Sequence, residues 1–227
     1  MVKEKLAKLL SVLAKLKERT EICKVCFKNF TSNSYRTIGL KRASVCEQCY
    51  KNFHPVFKRF RIEKIQCLAL YDYDDFIKEK LFVLKGCYDI ELAVVFLSSF
   101  LPFLRLKFTG FYIVPIPSFI DDDLKRGFNH VEEIFKGLKL PVLKVLKKTS
   151  PIKQSDQKIE DRNLVIKRLK IYDGNQIKGK KILLVDDVFT TGSTIKSCIA
   201  LLSEFNPKRI EVLVMAKVIK KQGISSI

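Results

Sequence analysis

Residues 182–194, Ile-Leu-Leu-Val-Asp-Asp-Val-Phe-Thr-Thr-Gly-Ser-Thr, constrain the fold of this chain more than any other segment. Four successive apolar residues with no charge among them describe a strand covered on both faces, as in the middle of a parallel sheet. Two carboxylates, Asp186 and Asp187, stand where that strand leaves the sheet, and open α/β sheets bind ligands at the carboxyl ends of their strands. Thr190 to Thr194 follow at once. Gly192 permits a tight turn, and the hydroxyls of Thr190, Thr191, Ser193 and Thr194 gather with backbone N–H groups where a helical pattern begins, which makes a phosphate cradle. Carboxylates beside such a cradle repel a bare anion. They suit a ligand that offers ribose hydroxyls on one side and phosphate on the other, a sugar phosphate.

The surrounding pattern supplies the rest of the sheet. IQCLALYDY at 65–73, FYIVPIP at 111–117, PVLKVLKK at 141–148, KKILLVDDV at 180–188 and RIEVLVMAKV at 209–218 read as strands. Between them, FIKEKLFVLKG with ELAVVFLSSFLPFL, then VEEIFKGL, then STIKSCIALLSEF read as helices, and residues 149–170 as a long polar stretch. Strands alternating with helices predict a mostly parallel sheet with helices on both faces. The domain of this α/β class is expected over 65–220.

Upstream the chemistry is different. Cys23-x2-Cys26 and Cys46-x2-Cys49 are separated by 19 residues, and each pair lets two thiolates from one turn reach a single ion. A disulfide framework conflicts with the reducing cytosol that the absence of a signal sequence predicts. A redox Cys-x2-Cys is expected once, beside a βαβ unit, rather than twice in a short basic segment. Structural Zn²⁺ held by Cys23, Cys26, Cys46 and Cys49 is the favoured reading over 20–55. Four Cys ligands leave no open position for water, so the site is expected to hold structure and not to catalyse. Asn29 to Ser34 are expected to form the turn between the two knuckles, and Cys67, Cys87 and Cys198 to be small buried hydrophobes.

Residues 1–19 carry Val2, Leu6, Leu9, Leu10, Leu13 and Leu16 at helical spacing among lysines, a basic amphipathic helix that lies on a membrane or an acidic partner or, the favoured reading, packs on its own protein or on a second copy, giving a homodimer. The net charge of +19 attracts polyanions, nucleic acid first among them. Lys51, Lys58, Arg59, Arg61 and Lys64 interleave with Phe53, Phe57 and Phe60. That segment reads either as an amphipathic helix with a buried aromatic face, the favoured alternative, or as a stacking and phosphate-contacting surface for single-stranded DNA. The longest uncharged runs, 92–104 and 108–120, fall short of the ~20 apolar residues that cross a bilayer. No transmembrane segment and a cytoplasmic location are therefore predicted.

ILLVDDVFTTGST resembles the binding motif for phosphoribosyl pyrophosphate (PRPP) of type I phosphoribosyltransferases. The resemblance implies that Asp186 and Asp187 hold the ribose hydroxyls and that Thr190, Thr191, Gly192, Ser193 and Thr194 hold the 5′-phosphate. Val114-Pro-Ile-Pro117 is similar to the strand end that opens the pyrophosphate loop. Lys125-Arg-Gly-Phe-Asn-His130 resembles a segment of the ComF competence proteins, in which a four-cysteine zinc ribbon precedes a phosphoribosyltransferase domain. His130 stands where that family usually has Gln, and Asp121 to Asp123 where it is commonly Arg-rich. Lys153-Gln-Ser155 with Asp161-Arg162 looks like the family's flexible loop. The fold implied is thus a type I phosphoribosyltransferase-like α/β sheet with a small N-terminal zinc ribbon.

Two functional readings follow. In the first the chain is an enzyme that binds PRPP with Mg²⁺ and transfers the phosphoribosyl group or hydrolyses the pyrophosphate. Backbone N–H groups near Ser118, beyond the strand end at Pro117, and basic residues such as Arg126 then stabilise the leaving pyrophosphate, and Asp186 or Asp187 serves as base. In the second it is a binding module for PRPP or nucleotide that grips single-stranded DNA or a partner in the competence machinery, since the family is associated with uptake of transforming DNA. No residue in the sequence is identified as reading a nucleobase.

Overall fold

The computed structural model describes residues 19–32, 45–118, 120–148 and 169–219. The amphipathic segment before Arg19, Asn33 and Ser34 of the expected turn, and the loop containing Lys153 to Ser155 with Asp161 and Arg162 lie outside the described residues.

The described part opens with an antiparallel hairpin of β1 (Arg19–Ile22) and β2 (Asn29–Ser32), with a cysteine knuckle between them. Asn29 to Ser32, expected in a turn, are therefore a paired strand. Next come α1 (Glu47–Lys51), β3 (Pro55–Ile62), β4 (Ile65–Asp72), α2 (Asp75–Gly86), a 3₁₀ turn at Ile90–Val95 and α3 (Leu101–Lys107). β5 (Phe111–Pro115), α4 (Ile120–Arg126) and α5 (His130–Phe135) follow, with a further 3₁₀ turn at Lys136–Leu138. The last part holds β6 (Leu146–Lys148), β7 (Leu169–Ile171), β8 (Lys181–Phe189), α6 (Ser193–Ser203) and β9 (Arg209–Lys217). The central sheet has the order β3-β4-β9-β8-β5, with β4, β9, β8 and β5 parallel and β3 antiparallel at the edge.

β8 lies between β9 and β5, and Ile182 to Val185 have no solvent exposure. Successive side chains of a strand point to opposite faces. Leu183 and Val185 accordingly join one core, with Leu81, Leu84, Leu104, Val131, Ile134 and Phe135 from the helices. Ile182 and Leu184 join the other, with Ile195, Cys198 and Leu202 of α6 and with Leu146 and Leu169 of the β6–β7 pair. The sheet is therefore covered on both sides, as the uncharged run requires.

Some elements differ from expectation. Lys51 to Lys64 do not form a helix: α1 ends at Lys51, and β3 pairs with β4 from Lys58↔Ala69 to Ile62↔Ile65 after a bulge at which Phe57 takes φ +45°. Nothing in the segment's own spacing announces this, because the pairing is with β4. Its aromatics are already occupied. Phe53 is buried, Phe57 packs edge-on to Phe100 at 4.9 Å between ring centroids, and Phe60 packs on Phe189 at 4.8 Å. Phe57 and Phe60 stay half-buried beside these rings, and Lys58, Arg59, Arg61 and Lys64 are exposed. Charges on an edge strand also discourage pairing with other chains. The 141–148 strand shrinks to Leu146–Lys148 plus a bridge between Ile113 and Val142. Cys67 and Cys198 are buried, but Cys87, at the end of α2, is exposed. Among the described residues no helix is long and apolar enough to cross a membrane.

Candidate functional site

The four cysteines converge. Cys23 and Cys26 come from the knuckle after β1, Cys46 and Cys49 from the start of α1, and all four Sγ atoms lie within 4.8 Å of one another. Zn–S bonds of ~2.3 Å in a tetrahedron place sulfurs about 3.8 Å apart, and Cys26 and Cys46 Sγ are 3.8 Å apart. Backbone N–H groups of Val25 and Cys46 donate to Cys23 Sγ at 3.4 and 3.3 Å. Burial works to raise the Cys23 thiol, but these donors outweigh it and bring the thiol down to about 7, favouring the thiolate that a metal needs. The donor set fits a zinc ion and offers no open position.

The knuckles are not a separate body. Cys23, Val25, Cys49 and Phe53 share one core with Leu68, Leu70, Tyr71, Leu92 and Phe96. Phe53 lies edge-on to Phe76 at 4.9 Å and against Tyr71 at 5.8 Å. Lys24 also pairs with Glu91 of the first 3₁₀ turn.

At the carboxyl end of β8 the loop 190–194 is built as expected. Gly192 takes φ +76°, and a Cβ there would lie 2.6 Å from Cζ of Phe189, so the turn needs glycine both for its backbone and for its contact. α6 begins immediately after; its N-cap residue, Gly192, offers no side-chain cap, and the Ser193 N–H makes only a long 3.5 Å contact with Thr191 Oγ1, so the helix N-terminus presents backbone donors and the positive end of its dipole. Thr190, Thr191 and Ser193 are exposed beside it, with the Thr191 and Ser193 hydroxyls 3.1 Å apart, and Thr194 is partly buried.

The two aspartates are not equivalent. Asp186 is half-buried, and its Oδ1 accepts from the Asp187 N–H at 2.9 Å. Burial, and then the adjacent Asp187 charge, push the Asp186 carboxyl well above the usual range. Asp187 is 7% exposed. It does not project into solvent as a free strand end would, because β8 continues to Phe189 and carries it against the helices. Its Oδ1 accepts from the Val188 N–H at 2.7 Å, while Oδ2 pairs with Lys85 and with His130 Nε2, the latter at 3.3 Å. Burial works against the charged form, but the His130 hydrogen bond and the Lys85 charge outweigh it and hold the carboxyl below the ordinary range.

Both partners arrive on buried helix stripes. Ile77, Leu81 and Leu84 are buried in α2, and Lys85, four residues after Leu81, ends that stripe over the sheet. α5 is capped by Asn129, whose Oδ1 accepts from the Glu132 N–H at 3.0 Å, and His130 lies four residues before the buried Ile134. Sequence reasoning did not single out Lys85. Its place at the end of an apolar stripe is the only local signal, and a lysine in the last helical turn is ordinary.

Pro117 and Ser118 leave the sheet beside β8, since the Ile116 N–H donates to the Val185 carbonyl at 2.9 Å. Ser118 is then tied down. Its hydroxyl donates to Asp123 Oδ1 at 2.6 Å, Arg126 Nη2 donates to the same oxygen at 2.6 Å, and Asn129 Nδ2 donates to Asp123 Oδ2 at 2.7 Å. Burial opposes the charge of Asp123, but Ser118, Arg126 and Asn129 hold its carboxyl below the usual range. Arg126, expected at the leaving group, is thus paired internally, although its buried Nε–H has no partner among the described residues.

Residues 124–225 match the model of the phosphoribosyl transferase domain. The chain is 31% identical over 149 residues to "Competence protein ComFC" of Streptococcus pneumoniae, covering 66% of this chain and 67% of that protein. This chain belongs to the ComF family. It is also 31% identical over 129 residues to the protein of the same name in Bacillus subtilis, covering 56% of this chain and 53% of that one. The alignment thus spans about half the length of the Bacillus subtilis relative. Among solved structures the chain is similar to a hypoxanthine-guanine phosphoribosyltransferase from Bacillus anthracis, with 15% identity, a TM-score of 0.39, and coverage of 61% of this chain and 76% of that one. The fold of this ComF-family chain is the type I phosphoribosyltransferase-like α/β sheet, with a four-cysteine cluster near its N-terminus.

Proposed function

We propose that this ComF-family chain binds PRPP with Mg²⁺ at the carboxyl end of β8 and acts there as a phosphoribosyltransferase-like protein of DNA uptake. The observation that supports the reading is the N-terminus of α6, whose N-cap Gly192 brings no side chain and which is ringed by Thr190, Thr191 and Ser193, directly after two aspartates of unlike environment. The loop 190–194 takes the 5′-phosphate through backbone N–H groups and hydroxyls. The aspartates serve the ribose, and the backbone at Pro117 and Ser118 faces the pyrophosphate, with Arg126 behind it. Mg²⁺ supplies the positive charge that the leaving pyrophosphate needs. Carboxyls pushed apart in acidity are how a site divides acid and base roles. Here Asp186 is the group able to carry a proton.

PRPP with Mg²⁺ at about a hundred times its Kd is expected to stabilise the protein by ~2.7 kcal/mol, a rise in Tm of roughly 5–10 °C for a chain of this size. Thr191→Val with Ser193→Ala, both at exposed positions, is expected to remove most of that rise with little change in the unliganded Tm. No shift with wild-type protein would sink the reading. Release of pyrophosphate from labelled PRPP at a catalytic rate marks an enzyme, and saturable binding without turnover marks a binding module.

A second reading, contact with single-stranded DNA, rests on the exposed Lys58, Arg59, Arg61 and Lys64 along β3 and on the +19 charge. Affinity is expected to fall with salt by roughly 0.7 log units per log unit of salt for each phosphate neutralised. Replacing Lys58, Arg59 and Arg61 together is expected to lower that slope more than removing three lysines from residues 3–15. Equal losses would reduce the surface to a diffuse polycation.

A further inference from the structure

α2 and the 3₁₀ turn at Ile90–Val95 pack together through Leu81, Leu84, Leu92 and Val95, which are buried in one core. Their outer sides are apolar as well. Along α2, Asp75, Glu79, Phe82 and Gly86 recur at helical spacing on the side away from Ile77, Leu81 and Leu84, and all four are exposed. Phe82 is 66% exposed, Tyr88 is exposed just after the helix, and Ile90 and Val94 are exposed on the 3₁₀ turn. The cysteine knuckle adjoins this surface. Side chains three apart eclipse one another in a 3₁₀ helix, so Glu91 and Val94 share one line, and Lys24 of the knuckle pairs with Glu91. Ile22 and Phe27, two and three residues from Lys24, are exposed too, Phe27 to 67%. Apolar residues scattered singly over a surface need no explanation, but six large ones around one junction mark an interaction site.

The charge and the chain path at this junction select an occupant. Residues 74–91 hold five acids against three lysines, an acidic stretch in a protein of net charge +19. Residues 1–18 hold five lysines against two glutamates, with Val2, Leu6, Leu9, Leu13 and Leu16 at helical spacing among them. That segment joins the described chain at Arg19, the first residue of β1, three residues before Ile22. At 1.5 Å per residue, 18 residues in a helical period cover about 27 Å, longer than α2 with its 12 residues. The reach from the knuckle over the 3₁₀ turn and along α2 is therefore sufficient. We propose that segment 1–18 docks on its own chain, over the outward face of α2 and the 3₁₀ turn, with its leucines on Phe82, Tyr88, Ile90 and Val94 and its lysines toward the acids around them. An anionic membrane is disfavoured by those same acids. A second copy must bring its segment from solution, whereas a tethered segment is present at an effective concentration of about millimolar.

The docked segment covers Cys87, which is exposed between Gly86 and Tyr88, while the other six cysteines lie in the knuckle cluster or are buried. Cys87 therefore reports on the docking in the full, zinc-loaded chain, with maleimide labelling read site by site by mass spectrometry. Cys87 of the wild type at micromolar concentration is expected to label about tenfold more slowly than in Leu9→Asp with Leu13→Asp, which breaks the leucine stripe. Phe82→Asp, at an exposed position that the sheet does not need, is expected to give the same acceleration from the other side of the contact. Leu6→Cys, Leu9→Cys, Leu13→Cys and Leu16→Cys, each treated with a short bismaleimide, are expected to link to Cys87 within one chain at one or more of these positions, with a yield that does not change over hundredfold dilution.

Links formed only between chains, with a yield that falls on dilution, would place the segment on a second copy and overturn docking on its own chain. Absence of an intrachain link at all four positions overturns it as well, and so does equal labelling of Cys87 in the wild type and the leucine variant. Labelling of the wild type that accelerates to the variant's rate when phosphatidylserine vesicles bind it would assign the segment to a membrane and overturn the docking likewise. None of these readouts depends on what the loop 190–194 binds.

Discussion

Stripping zinc from Cys23, Cys26, Cys46 and Cys49 is expected to destabilise the α/β sheet as well as the knuckles. The spacing of the cysteines points to a small metal-dependent ribbon over 20–55, whose removal by itself would leave the sheet domain intact. The packing differs, because Val25 and Phe53 are buried in the same core as Leu70, Tyr71 and Phe96. Loss of the metal frees the two turns that press them there. Re-exposing Phe53 and Val25 at ~1.5–3 kcal/mol each amounts to about 3–6 kcal/mol. For a chain of this length that lowers Tm by roughly 10 °C or more. Elemental analysis of protein purified under reducing conditions should find one zinc per chain, and Cys26→Ser should lose it. A chelated protein whose sheet melts unchanged would show that the ribbon and the sheet are energetically independent.

Replacing either aspartate at the end of β8 by asparagine should change stability in opposite directions. Asp187→Asn breaks a buried pair and strands His130 and Lys85, at a cost of about 3 kcal/mol, the low end for such pairs because Lys85 is a third exposed. Asp187 has a depressed folded pKa. It therefore contributes stability above the unfolded carboxyl value of ~3.9 and loses it as pH falls through the lower folded value, so the full cost is already present at pH 5. Asp186 has a raised folded pKa. Between ~3.9 and that higher value the folded state holds the proton more tightly than the unfolded state, so stability falls as pH rises. Asp186→Asn should accordingly stabilise the protein, by an amount that grows as pH rises above ~3.9 and levels off once the higher folded value is passed. Urea denaturation of both variants across this range checks the signs. A stabilising Asp187→Asn, or a destabilising Asp186→Asn, would contradict the inequivalence of the two acids.

The sequence by itself determined what is local. The uncharged run 182–185, the acids after it, the glycine turn and the start of α6 lie within 13 consecutive residues, so spacing alone gives their order on a strand, a loop and a helix. The cysteine pairs were legible for the same reason, since each Cys-x2-Cys turn supplies two ligands without reference to the rest of the chain. The tertiary structure decided everything that depends on a distant partner. Lys58 to Ile62 became an edge strand because β4 offers them a ladder, and Phe57 and Phe60 became half-buried because Phe100 and Phe189 cover one side of them. Arg126, a ligand candidate in the sequence, is held by Asp123 three residues before it. Lys85 and His130 meet at Asp187 only after α2 and α5 lay their apolar stripes on the same face of the sheet. Burial of those stripes is non-directional and spread over many residues, so it brings these charges together without leaving a mark at any one position of the sequence.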